Sequence, residues 1–250
     1  MGSAGHPRPR LHAVGMWFAG LLVVASGLAC ATRAPAPPIE GTGTVWGHLR
    51  LVPREGVTPI RSGGSSYASR RMKSVELVDY SKPGFAVVHL DAGPSPAGTA
   101  QLEIRARGTR TRLEPSHAAV GAGGALVVAN RTGAAHFLSA PALGLVRRLE
   151  PGEQVEIAVP EAGEQSLYLL DVPRSTSTVF VSPGAFAVIS ADGRFELRGL
   201  APGSHTLHAW HPRFPPAHSP LQLTAGSVVQ LDFELGVTSR DDASVPAALP

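Results

Sequence analysis

Past a short leader the chain reads as a succession of short apolar runs, each closed by glycine, proline or asparagine. GTVWGHLRLV, residues 43–52, sets the pattern: Val45, Gly47, Leu49 and Leu51 fall on one side, and Trp46, His48 and Arg50 on the other. A strand with one buried face needs that period of two, because successive side chains point to opposite sides of a sheet. FAVVHLDAG, AQLEIRARG, ALVVAN, EQVEIAVP, SLYLL, STVFVSP, FAVISA, GRFELRGL, SHTLHAWH, SPLQLTAG and VVQLDFELGV follow in the same manner. Outside the leader no window of a dozen residues carries a 3.6-residue period. The pattern predicts an all-β fold, with the N-terminal segment as its helix. PREGVTPIRSGGSSYASRRMKS, residues 53–74, has no apolar period and reads as a basic loop; residues 238–250 read as a disordered tail.

Composition agrees with the pattern and narrows the function. The 28 Gly and 23 Pro in 250 residues suit many short strands and turns, and 43% apolar residues supply a core. The formal charge is +3, but removing Arg8 and Arg10 of the leader leaves 20 basic residues against 19 acidic. A nearly neutral chain without a basic-aromatic cluster makes no case for a nucleic-acid partner.

The leader, residues 1–29, joins a basic start to an uncharged run from Ala13 to Ala29. Its three glycines and small-residue end mark a secretory signal rather than a permanent span. Cys30, the only cysteine, follows at once and precedes a Pro-rich linker, residues 30–42. Gly27-Leu28-Ala29-Cys30 resembles the lipobox of bacterial lipoproteins, although Leu28 stands one place closer to the cysteine than the usual leucine. That resemblance implies lipid on Cys30 and an anchored envelope protein, with Ala31 favouring the outer membrane. Ala29-Cys30-Ala31 also reads as an A-x-A cleavage site, which would release a soluble periplasmic protein. A single cysteine leaves no intramolecular disulfide under either reading.

Two stretches carry family resemblances. ADGRFELRGLAPGSHTLHAWHPRF with LTAGSVVQLDFEL resembles the closing half of the transthyretin-like or carboxypeptidase-regulatory-like β-sandwich. Asp192-Gly193, Pro202-Gly203 and Ala225-Gly226 stand at its turns. The strand at residues 43–52 resembles that module's opening. The implied sandwich draws on residues 43–93 and 184–237.

Residues 94–183 resemble a cupredoxin, specifically the plastocyanin-like proteins of methylamine-utilisation type, and imply a Greek-key β-sandwich. In that family a strand ending in Asn precedes a loop with the first copper-ligand histidine; ALVVANRTGAAHFLSAP places Asn130 and His136 there. A Cys, a His and a Met follow in a later loop, where this chain reads SLYLLDVPRSTSTVFV. Aligned on Tyr168 and Pro173, Leu169 stands for the cysteine, Val172 for the histidine and Ser175 for the methionine. A blue-copper site needs a thiolate and two imidazoles, so the expectation is a fold without its copper and no cofactor. His136 remains as a weak metal candidate.

Other chemistry finds little support. His205, His208, His211 and His218 sit close in sequence, but alternation turns His208 away from His205 and His211. Nothing reads as a G-x-S-x-G elbow, an H-E-x-x-H helix or a Walker loop. Asp171, Asp192 and Asp232 are read as turn or solvated acids. These readings converge on a non-enzymatic envelope protein that binds an envelope protein or polysaccharide, with a solvent-facing patch at Asp171 and Arg174 as its contact. The alternative is a periplasmic copper-binding or electron-transfer protein using His136 with other histidines.

Overall fold

The computed structural model describes residues 35–53 and 78–236. The leader with Cys30, residues 54–74 of the basic loop and the tail at 238–250 lie outside the described residues. The described chain is all-β, as the alternation predicts; its single helical turn is a 3-10 turn at Pro141–Leu143.

Strands β1 (Gly43–Val52) and β2 (Val87–Leu90) open it. Next come β3 (Thr99–Arg107), β4 (Arg110–Glu114), β5 (His117–Gly121), β6 (Gly124–Asn130), β7 (His136–Ala140) and β8 (Leu145–Leu149). These lead to β9 (Gln154–Val159), β10 (Gly163–Leu169) and β11 (Thr176–Ser182). The chain closes with β12 (Phe186–Val188), β13 (Arg194–Leu200), β14 (Gly203–His211), β15 (Phe214–Leu223), β16 (Val228–Gln230) and β17 (Phe233–Gly236).

Two sandwiches result, and one is inserted into the other. The first faces a sheet ordered β13-β1-β16, with β17 also on β1, against a sheet ordered β12-β2-β14-β15. Its core gathers Val45, Leu49, Val88, Leu207, Leu223 and Phe233. The second, β3 to β11, faces β4-β3-β6-β9 against β5-β11-β10-β7-β8, over Leu102, Ile104, Leu126, Leu138 and Leu167. The first sandwich is therefore assembled from both ends of the described chain.

The sandwiches meet through a third, smaller apolar cluster. Val87 and Trp210 on the outer face of the β2–β14 sheet pack against Phe180 of β11, with Phe85, Ala119 and Phe186 around them. The Phe180 and Trp210 rings stack at 4.7 Å, and the indole N–H donates to Glu164 Oε1 at 2.8 Å. An indole N–H this close to a core needs such a partner.

Asp232, read from sequence as a solvated acid, has a structural task instead. Strand β1 pairs in parallel with β16 up to Trp46 and with β17 from Leu49. In the gap Leu231 N–H donates to Trp46 O at 2.9 Å, and Asp232 Oδ1 accepts the His48 N–H at 2.8 Å. The backbones come so close that a Cβ on Gly47 would lie 1.8 Å from Leu231 O. Gly47→Ala should therefore cost about 3 kcal/mol, at the upper end of overpacking penalties. Urea unfolding would measure it, and a change under 1 kcal/mol would contradict this account of the gap.

Candidate functional site

The end of the second sandwich that the cupredoxin resemblance marks is organised by Asn130, at the close of β6. Its Nδ2 donates to Ala134 O at 2.8 Å and Leu149 O at 3.0 Å. Its Oδ1 accepts both the backbone N–H of Thr132, at 3.0 Å, and the Thr132 hydroxyl, at 2.8 Å. Residues 131–135 are folded onto this one buried amide, and the loop delivers His136 as the first residue of β7.

The His136 imidazole is almost wholly enclosed and both nitrogens are engaged. Nδ1 lies 2.6 Å from Asp171 Oδ2, and Nε2 lies 3.1 Å from Thr132 Oγ1. Asp171 Oδ1 also accepts the Phe137 N–H at 2.9 Å. Burial opposes ionisation of Asp171. The hydrogen bonds from Phe137 and His136 together outweigh it and hold the carboxyl below the usual carboxylate range. Asp171, expected in a solvent-facing contact patch, is an exposed residue, and its carboxylate also holds the loop after β10 against β7.

The other positions that the resemblance assigns to ligands are equally occupied. Leu169 is 3% exposed within the core of the second sandwich, and Val172 packs against the same core. The buried Ser175 hydroxyl accepts the Leu113 N–H of β4 at 2.9 Å. Leaving that N–H unpaired would cost about 1–3 kcal/mol. Among the described residues no three His, Cys, Asp or Glu side chains are grouped so as to hold a metal ion.

Arg174 stands exposed, with Asp171 and Pro173 beside it. Val172, Pro173, Arg174 and Ser175 form a turn closed by Ser175 N–H on Val172 O at 3.3 Å. Proline stands second and Arg174, third, has φ of 60°, as in a type II turn. That place normally takes glycine, since a left-handed conformation costs other residues roughly 1–2 kcal/mol. An exposed arginine is thus held over the end of β4 at a conformational cost.

Beneath it runs an open groove of about 750 Å³. Arg105, Arg112, Glu103, Glu114, Arg174 and Thr176 are among its lining residues. The two acids are already committed. Glu103 pairs with Arg105 and with Arg131, the latter at 3.3 Å; Glu114 pairs with Arg107 at 3.0 Å. The hydrogen bond from Arg105 is the main cause that keeps Glu103 ionised to lower pH than usual. Arg174 apart, these groove residues were not singled out from sequence, yet the signal is there in EIRARGTRTRLE. A turn at Gly108-Thr109 must set Arg107 opposite Arg110 and Arg105 opposite Arg112, the register observed.

The histidines group across strands rather than along them. His89, His208 and His218 are register partners on β2, β14 and β15, with ring centroids 5.2 and 5.9 Å apart. His89 also packs on Phe180 at 4.9 Å. The first two rings stack nearly parallel instead of converging on a point. His205 bonds Ala201 O, and His211 Nδ1 accepts the Arg213 N–H, so its Nε2–H donates to Pro83 O at 3.1 Å. Burial is the leading cause that depresses His89, His208 and His211 below the ordinary imidazole value.

The profile of the carboxypeptidase regulatory-like domain matches residues 172–236. No curated protein matches the chain significantly. Among solved structures, a purple cupredoxin from Nitrosopumilus maritimus is 21% identical, covering 33% of this chain and 99% of its own, with a TM-score of 0.29. A mutant amicyanin in its reduced Cu(I) form is 16% identical, covering 38% and 98%, with a TM-score of 0.29. The metal-binding domain of the Streptococcus pneumoniae D39 Cu(I)-exporting P-type ATPase CopA is 11% identical, covering 36% and 91%, at 0.27.

The depressed imidazoles set a pH dependence. Below the ordinary histidine value of 6.5 the unfolded chain takes up protons that the folded His89, His208 and His211 still refuse, so stability falls as pH drops from there. Asp171 acts in a lower window, its contribution being lost below 3.8. Urea midpoints measured between pH 8 and pH 3 should show both limbs, and His208→Gln should flatten the upper one alone. A midpoint that does not change between pH 8 and pH 5 would refute the assignment.

Proposed function

We propose that this chain is exported through its leader, anchored to the outer membrane by lipid on Cys30, and faces the periplasm. There its second sandwich serves as a non-catalytic binding module. The groove beneath Arg174 is its contact surface, and the partner is an envelope protein or polysaccharide. A rigid sandwich that presents a loop over a groove is suited to recognition without chemistry.

One observation carries the binding role: the residues at the resemblance's ligand positions work for the fold. Leu169 fills core, Ser175 satisfies a buried N–H of β4, and His136 spends both nitrogens on Asp171 and Thr132. Leucine and valine have no lone pair for a metal, and the chain has no cysteine beyond Cys30. Arg174 and Asp171 face solvent at this end beside the groove, and the His136 imidazole does not.

Two measurements test the proposal. Titration of the purified protein with Cu(II) and Cu(I) should give no stoichiometric site and no intense visible absorption; a tight coloured site would defeat the binding-module reading. Cys30→Ser should move the protein from the membrane fraction to the soluble fraction. Unchanged membrane association would remove the lipid anchor from the account.

A further inference from the structure

The groove holds more positive charge than its own acids neutralise. Glu103 is shared by Arg105 and Arg131, and Glu114 is taken by Arg107. Arg112 and Arg174 line the same groove and have no acidic partner among the described residues.

The β3–β4 register makes this arrangement unfavourable by itself. Arg105 faces Arg112 directly, Arg107 faces Arg110, and Glu103 faces Glu114. Like charges directly opposite on a sheet destabilise it. Charged residues on an edge strand do protect it from pairing with other chains, and β4 is an edge strand. Edge protection accounts for Arg110 and Arg107 beside the hairpin turn. It does not account for Arg174, which reaches the same groove from a different loop and holds a backbone conformation that favours glycine.

We propose, building on the binding-module reading, that the groove between β4 and the Val172–Ser175 turn binds a phosphate monoester through Arg112 and Arg174. The charge count selects phosphate over carboxylate. A phosphate monoester carries about −1.5 to −2 at neutral pH and neutralises two guanidinium groups, whereas a carboxylate neutralises one. Guanidinium forks match phosphate oxygens in geometry, two hydrogen bonds per arginine. Bound phosphate also relieves the Arg105–Arg112 opposition, so ligand and hairpin stabilise one another.

The test compares the intact protein with Arg112→Gln and Arg174→Gly, using inorganic phosphate, glucose 1-phosphate, and phosphatidylcholine vesicles with or without phosphatidic acid. Calorimetry and thermal melts at matched ionic strength give the readouts. At least one phosphate probe should bind the wild type and raise its Tm, and each substitution should weaken that binding at least tenfold. In chloride alone both variants should melt at or above the wild type, because each removes an unfavourable feature; a merely structural arginine would lower Tm. Binding of the soluble probes identifies a free or sugar-borne phosphate, and binding confined to phosphatidic acid vesicles identifies a lipid headgroup. The proposal is overturned if no probe binds, or if the double variant binds as tightly as the wild type. Failure here with copper still unbound removes only the phosphate assignment, while a tight copper site removes the reading beneath it.

Discussion

The placement of everything from β3 to β11 depends on one small buried cluster, centred on Trp210 against Phe180. The chain leaves the first sandwich after β2 and returns to it at β12, so the inserted sandwich is tethered at two points. Two tethers alone would let it swing. The stacked rings and the indole hydrogen bond to Glu164 fix its orientation, because the N–H would otherwise be left without an acceptor beside an apolar cluster. His89 lies at the rim of that contact, so the pH dependence of the histidine row bears on the joint between the two halves.

At one end of the inserted sandwich, two polar residues do what a metal does in a metal-holding fold: they tie separate segments together. Asp171 joins the loop after β10 to β7 through His136 and the Phe137 N–H. Ser175 joins the same loop to β4 through the Leu113 N–H. With the loop so fastened, the Val172–Ser175 turn is rigid enough to hold Arg174 in a left-handed conformation over the groove. The fastening of the turn and the exposure of its charge thus have one origin, and the proposed recognition role draws on both.

Much of the fold was legible because alternation in a strand is a local property. The period in residues 43–52 identified β1 and its buried face correctly, and Asn130 closes a strand as its motif implies, while His136 opens β7 rather than lying in the loop. What sequence reading missed was contact across strands. Asp171 read as a turn acid because its partners, His136 and Phe137, lie more than thirty residues away. Along its own strand His208 has only His205 and His211 to group with, whereas its neighbours across strands are His89 and His218. Asp232 and Gly47 look ordinary in the sequence, because their task arises only where β16 and β17 share one edge of β1. The arginine pairs were legible in principle, since a turn at Gly108-Thr109 fixes them, but only once the hairpin register was drawn.

The central claim is that this end of the inserted sandwich is a pre-formed anion groove and not a vacated metal site. The most direct measurement is a residue-resolved map of backbone amide shifts as inorganic phosphate is added to the purified protein at constant ionic strength. The account predicts saturable shifts concentrated at Arg112, Leu113, Arg174, Ser175 and Thr176, with Thr132, His136 and Asp171 still. Shifts scattered over the surface without saturation, or centred on His136, would contradict it.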